Sequence, residues 1–287
     1  MNSSKSINTS GIILALLFLF SFAVAFFPVW KNLVIAWYSS DDYSHGFFIL
    51  PLCLYLAWQK RGILSQTPIR PSAWGLVLSV FSLLLYLVAY FGEIATVASF
   101  SMVLLLAGLV MYFYGFKVLK ELLFPLFLLL FMIPVPSQIY ATLTIPLQLL
   151  VSKVSTGISS LMGIPIYREG NLIHLPERTL QVVQACSGLR SMISLLTLSA
   201  VFGYLTLRSN FLRTILFLSG IPAAIAVNII RVLIMIAAQY YFDYDLTAGA
   251  LHTVFGVFIF VLALLLIYAM KGVLSIWDMS ADQKSSL

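Results

Sequence analysis

Apolar runs separated by short polar breaks recur along this chain, near residues 11–28, 46–59, 74–91, 95–114, 120–135, 186–207, 213–237 and 250–271. A helix that crosses a hydrocarbon core needs about 20 mostly apolar residues. In lipid only a helix or a closed barrel satisfies every backbone N–H and C=O. Barrel strands would alternate apolar and polar over about 10 residues, whereas these runs are unbroken. The pattern predicts an all-α polytopic membrane protein with about eight transmembrane helices. The first run contains Ala23-Val24-Ala25, which resembles a signal-peptidase site, but it starts at Gly11 and continues through Phe26 and Phe27. That exceeds a signal core of about 7–15 residues, so an uncleaved helix is expected.

Two stretches interrupt the pattern. Segment 137–162 carries Pro146, Ser152, Lys153, Ser155, Thr156, Ser159 and Ser160, and is expected to be an amphipathic or re-entrant helix at the outer side. Segment 163–183 is the longest polar stretch. Ile164-Pro165-Ile166-Tyr167 and Leu172-Ile173-His174-Leu175 flank Arg168-Glu169-Gly170-Asn171. Gly-Asn tolerates positive φ, so a short periplasmic β-hairpin is predicted, with Leu180-Gln181-Val182-Val183 as a third strand. Residues 1–287 are expected to form one transmembrane domain without an additional soluble domain.

Composition sharpens this picture. The chain is 61% hydrophobic and 9% charged, against roughly 25% charged residues in soluble domains. Its net charge of +6 is not a nucleic-acid signal, because the basic residues stand singly at helix ends and so orient the helices in lipid. With a cytoplasmic N-terminus, Lys5, Lys60, Arg61, Arg70, Lys117, Lys120, Arg208, Arg213, Lys271 and Lys284 lie inside, ten of sixteen Lys and Arg, and seven of the ten acids lie outside. This asymmetry predicts two cytoplasmic termini. Trp30, Trp37, Trp58, Trp74, Tyr240 and Tyr241 are expected in the interfacial belts. Gly46, Gly188, Gly220 and Gly256 are expected at close helix contacts.

Candidate chemistry collects at the outer face. Cys186 is predicted at the first turn of a helix, where unpaired N–H groups and the helix dipole favour a thiolate, with Arg190 one turn later on the same face. Arg231 lies about 18 residues into a helix expected to start near 213, or roughly 27 Å across the membrane. His252 is predicted at the outer start of the last helix, at the same depth. These types suggest a nucleophile, a base that becomes the acid for the leaving amine, and a fixed cation for an oxyanion or a carboxylate. The plainer readings are packing for a cysteine, as expected for Cys53, and an interfacial polar residue for a histidine. An intramembrane arginine is costly and points to function. No His/Cys spacing suits zinc, and neither a metal nor a cofactor is expected.

In family order, the chain carries Asp42-Tyr43-Ser44-His45-Gly46, Phe131-Met132-Ile133-Pro134-Val135-Pro136, Ala185-Cys186-Ser187-Gly188-Leu189-Arg190-Ser191, Asn228-Ile229-Ile230-Arg231 and His252. At these residues, over roughly 40–270, it resembles the exosortase/archaeosortase family. The resemblance implies a cysteine protease or transpeptidase of the bacterial inner membrane, in exopolysaccharide-making hosts. Its implied partners are membrane lipid and exported proteins ending in a Pro-containing motif, a hydrophobic helix and a basic tail, the PEP-CTERM type. The family's catalytic Cys, Arg and His map onto Cys186, Arg231 and His252; Arg190, Ser187, Asn228, His45 and Tyr43 are supporting or substrate-binding candidates. The rival class is a non-enzymatic transporter or exopolysaccharide-assembly component. A transporter would gather its polar groups near the midplane within repeated halves, and no repeat is evident here.

Overall fold

Among the described residues the apolar runs form eleven helices. The computed structural model describes residues 9–40, 42–182, 189–246 and 249–285; of 9–12, 14, 15, 19, 189, 190, 249–253 and 279–285 only the backbone is described. Its contacts cluster into two units, Met1–Val135 and Pro136–Leu287.

The first unit holds α1 (Thr9–Ala25), α2 (Phe27–Ser39), α3 (Gly46–Gln59), the short α4 (Arg61–Gln66), α5 (Ala73–Phe91), α6 (Ala95–Tyr114) and α7 (Phe116–Leu129). Pro28 sits in the first turn of α2, where its missing N–H costs nothing. Helices α5 and α6 form the tightest pair. A Cβ on Gly75 would collide with the Tyr112 backbone, and one on Gly108 would lie 2.7 Å from Ser79 Oγ. Small residues here let backbones approach where lipid provides no hydrophobic drive between helices. The buried hydroxyls of Ser79, Ser82, Ser99 and Ser101 donate to carbonyls three or four residues earlier. Gly115, at φ +89, separates α6 from α7.

The second unit holds α8 (Ser137–Leu161), a three-stranded sheet, α9 (Leu189–Thr206), α10 (Asn210–Phe242) and α11 (Gly249–Ser285). The polar segment 137–162 is one continuous helix through Pro146. Its amphipathicity is inverted: Thr144, Gln148, Ser152, Ser155 and Ser159 are buried, while Leu143, Ile145, Leu149, Leu150 and Ile158 face outward. Of the polar residues that made this segment look unsuited to lipid, Ser152, Ser155 and Ser159 therefore line the protein interior, while Lys153 and Ser160 are exposed.

The predicted hairpin is present as β1 (Tyr167–Glu169) and β2 (Leu172–His174), with β3 (Thr179–Gln181) as the third strand, all antiparallel in the order β1-β2-β3. Gly170 turns the hairpin at φ +62. The sheet is fastened to α8 by polar contacts: Ser152 Oγ donates to the Gly170 carbonyl at 3.1 Å, and Asn171 Nδ2 to Gln148 Oε1 at 3.4 Å.

Among the described residues, four helices are long and apolar enough to cross a membrane alone: α5, α6, α10 and Val254–Asp278 of α11. The count rises to six if two broken pairs, Leu16–Ala25 with Phe27–Ser39 and Phe116–Met132 with Ser137–Leu161, each make one span. The other two predicted spans correspond to shorter apolar helices, Gly46–Gln59 and Ser191–Thr206. Of the eight predicted spans, length and apolarity thus support four to six among the described residues, because a pattern of apolar runs does not register where helices stop short or break.

The glycine and aromatic expectations divide. Gly46 makes a close contact, and a Cβ on Gly220 would lie 3.3 Å from Ser199 Oγ, but a Cβ on Gly256 would meet nothing within 4 Å. Gly188 lies outside the described residues. Trp58 and Trp74 are exposed, as an interfacial belt requires, whereas Trp37 is buried.

Candidate active site

Arg231 is buried on α10. One turn earlier on the same helix, Asn228 is also buried, so the Asn-x-x-Arg spacing places both on one helix face. Together with Ser191 of α9 and Ile259, Phe260 and Ala263 of α11, they line a narrow crevice of about 10 Å³. Ser191 is the last residue of the Ala-Cys-Ser-Gly-Leu-Arg-Ser run, so the end of that run and the Asn-x-x-Arg motif face one space.

Above this crevice lies the sheet. Ile173, Leu175, Leu180 and Val182 pack with Val232, Met235 and Ile236 of α10, and Phe255 of α11 joins the same cluster. Val182 precedes Cys186 by four residues, Val232 follows Arg231 directly, and Phe255 follows His252 by three. The sequence neighbours of all three candidate catalytic residues thus share one apolar cluster.

Cys186 and Ser187 lie outside the described residues. Arg190 lies on α9, which is described from Leu189, and His252 in the first turn of α11, near the predicted start of the last helix; only their backbones are described. The predicted common depth needs adjustment. Helix α10 runs to Phe242 rather than ending near 237, so Arg231 sits roughly 16 Å below its C-terminal end. Arg231 shares its crevice with Ile259 and Phe260, about two turns or roughly 10 Å deeper along α11 than His252.

The remaining candidates, Tyr43 and His45, lie in the first unit and hold another segment of the chain. His45 Nε2 contacts the Phe131 carbonyl at 3.0 Å, and since a carbonyl only accepts, the ring nitrogen donates. Tyr43 Oη accepts from Val135 N–H at 3.2 Å. Trp37 Nε1 donates to the Met132 carbonyl at 2.8 Å and Thr96 Oγ1 to the Pro134 carbonyl at 2.9 Å. Four side chains from three separate places therefore clamp residues 131–135. The Asp-Tyr-Ser-His-Gly and Phe-Met-Ile-Pro-Val-Pro motifs are two halves of one substructure. Gly46 belongs to it, because a Cβ there would overlap the Trp37 indole. Trp37 is missed by sequence reading: its partner is 95 residues away, and a tryptophan at a helix end looks like a belt residue.

This clamp has a measurable consequence. Gly46→Ala is expected to destabilise the protein by about 1–3 kcal/mol through overpacking. Burial pulls the His45 imidazole below its ordinary value, against the Phe131 and Asp42 carbonyls and the Asp42 charge, which raise it. A depressed imidazole contributes stability that is full above the unfolded value near 6.5 and is lost as pH falls below it. Thermal unfolding of the purified protein at pH 7.5 and 5.5 should therefore show an acid-induced loss that His45→Gln reduces. An unchanged loss in that variant would assign the effect to other groups.

His174 is held within the sheet, stacked on Tyr167 at 4.4 Å with Nδ1 2.9 Å from Thr179 Oγ1. Cys53 is buried, with Sγ donating to the Pro125 carbonyl at 3.2 Å, an inert packing position. Among the described residues no three His, Cys, Asp or Glu side chains converge as a metal ion would need.

The family model described as transmembrane exosortase matches residues 37–269, most of the chain and all the motifs above. The chain belongs to the transmembrane exosortase family. Comparisons with curated proteins and with solved structures found no match. As an exosortase-family membrane protein it is mostly helical, and its multi-pass character agrees with its apolar helices.

Proposed function

We propose that this exosortase-family protein is a cysteine peptidase or transpeptidase of the bacterial inner membrane, with Cys186, Arg231 and His252 as its reacting groups. The main support is the shared packing of Val182, Val232 and Phe255, which draws the three chain segments together beside a crevice that buries Arg231. The substrate is an exported protein with a C-terminal sorting signal: a Pro-containing motif, a hydrophobic helix and a basic tail. Cys186 loses its proton to His252, and the thiolate attacks the scissile carbonyl carbon. Arg231 stabilises the resulting oxyanion or binds a substrate carboxylate. As the C–N bond breaks, His252 returns the proton to the leaving amine, and a thioester remains on Cys186. Water or an acceptor amine then takes the acyl group and restores the thiol.

The sheet and Cys186 face the periplasm in this reading, and both termini face the cytoplasm, following the Lys/Arg asymmetry. A cysteine introduced at Asn171, in the β1–β2 turn, should react with an impermeant thiol reagent in intact spheroplasts. Labelling only after lysis would reverse the orientation and separate the site from exported substrates.

A further inference from the structure

The sheet carries an ion pair that the proposed reaction does not use. In the turn between β2 and β3, Leu175 N–H donates to the Arg178 carbonyl at 2.8 Å. The Arg178 fork reaches out of this turn: Nη2 lies 2.6 Å from Asp245 Oδ2, and Nη1 lies 3.4 Å from Gln239 Oε1. Gln239 is buried on α10, and its Nε2 donates to Asp243 Oδ1 at 2.7 Å. Asp243 caps α10 in the left-handed conformation, at φ 50. One guanidinium thus joins the sheet to the last turns of α10 and to the segment leading into α11.

The sequence positions of these anchors matter. Cys186 follows the end of β3, Gln181, by five residues; His252 follows Asp245 by seven; Gln239 follows Arg231 by eight, about two turns on the same helix. The ion pair and its glutamine therefore connect α10, which carries Arg231, with the sheet that precedes Cys186 in the chain and the segment that precedes His252. Its contribution to stability is small, because Arg178 is 46% and Asp245 30% exposed, and partly exposed pairs are screened by water. Its contribution to geometry is larger. The apolar cluster beneath the sheet is non-directional and sets only how closely the sheet approaches α10. A guanidinium fork has fixed directions and sets where the sheet sits along and around that helix.

We propose that Arg178 and Asp245, braced by Gln239, form a positioning clamp that holds the Cys186 and His252 segments in reacting register above Arg231. The clamp touches neither substrate nor reacting atoms, and it rests on the proposed function.

The test uses full-length protein in detergent or nanodiscs, a tailed substrate, and the variants Arg178→Ala, Asp245→Ala, the charge-swapped Arg178→Asp/Asp245→Arg, and Cys186→Ala. Misplacement of a reacting group by about 1 Å can cost on the order of 10²-fold in rate. Each single variant is expected to lose about 10- to 100-fold in kcat with KM changed less than about 3-fold, and the swap to recover much of that loss. The pH profile of Cys186 alkylation separates positioning from bulk stability. In the single variants its midpoint should move toward the free-thiol value of about 8.5, and in the swap it should return. Single variants with wild-type kcat would overturn the clamp, as would a loss of activity with an unchanged alkylation profile, or a swap as inactive as the single variants. Turnover by Cys186→Ala would instead overturn the proposed function itself, so the two failures are distinguishable.

Discussion

Cys186→Ala is expected to abolish processing of a tailed substrate while leaving the protein in the membrane at wild-type amount. The position predicted for Cys186 from the sequence, at the first turn of a helix, favours a thiolate through free N–H groups and the helix dipole. Alanine removes the nucleophile altogether, and where a nucleophile has been deleted from a comparable catalytic unit the loss is on the order of 10⁶ in kcat. Cys186→Ser should also be inactive, because a hydroxyl is far harder to ionise than a thiol in the same place. Cys53→Ala is the matched control: its thiol is buried against the Pro125 carbonyl in the other unit, and its removal should leave turnover intact. The measurement is conversion of substrate at matched protein level. Conversion by Cys186→Ala would remove the cysteine-peptidase reading.

Arg231 and His252 should give the next largest losses. If Arg231 merely fills a polar site, lysine replaces it. If it presents a planar fork to the reacting carbonyl or to a carboxylate, lysine keeps the charge and loses the geometry. Arg231→Lys is expected to lose most activity and Arg231→Ala essentially all of it, on the scale of the roughly 10²–10³-fold cost of one oxyanion donor. His252→Ala should be as severe as Arg231→Ala, because the thiol loses its base and the leaving amine its acid. His174→Ala and His45→Ala supply the comparison. His174 is committed to Thr179 and Tyr167 within the sheet, and His45 to the Phe131 carbonyl, so both should cost stability rather than turnover per folded molecule. Normal turnover in His252→Ala with loss in His45→Ala would show the base to be misassigned.

Residues whose roles depend on local chain properties were legible before folding. The Gly170-Asn171 turn is one, since positive φ is a property of the residue itself. The Asn228–Arg231 pair is another, since a spacing of three on any helix shares a face. Roles that depend on a distant partner were not legible. Trp37 reads as a belt tryptophan until the Met132 carbonyl is placed beside its indole N–H. Tyr43 and His45 read as supporting or substrate-binding candidates, and their contacts with Phe131 and Val135 show only once those distant residues are placed beside them. Ser152, Ser155 and Ser159 of α8 look wrong for lipid until their face is seen turned inward.

By itself the sequence determined the membrane class, the order of the apolar helices, the turn that makes the hairpin, and the family motifs. All follow from backbone satisfaction in lipid, from residue conformational preference, or from spacing along the chain. Only the tertiary structure decided how many helices are long enough to span alone, that Arg231 lies about two turns deeper than His252, that two distant motifs form one clamp, and that Arg178 meets Asp245. These follow from helix ends, crossings and side-chain directions, which packing sets among residues far apart in sequence and which no local pattern encodes.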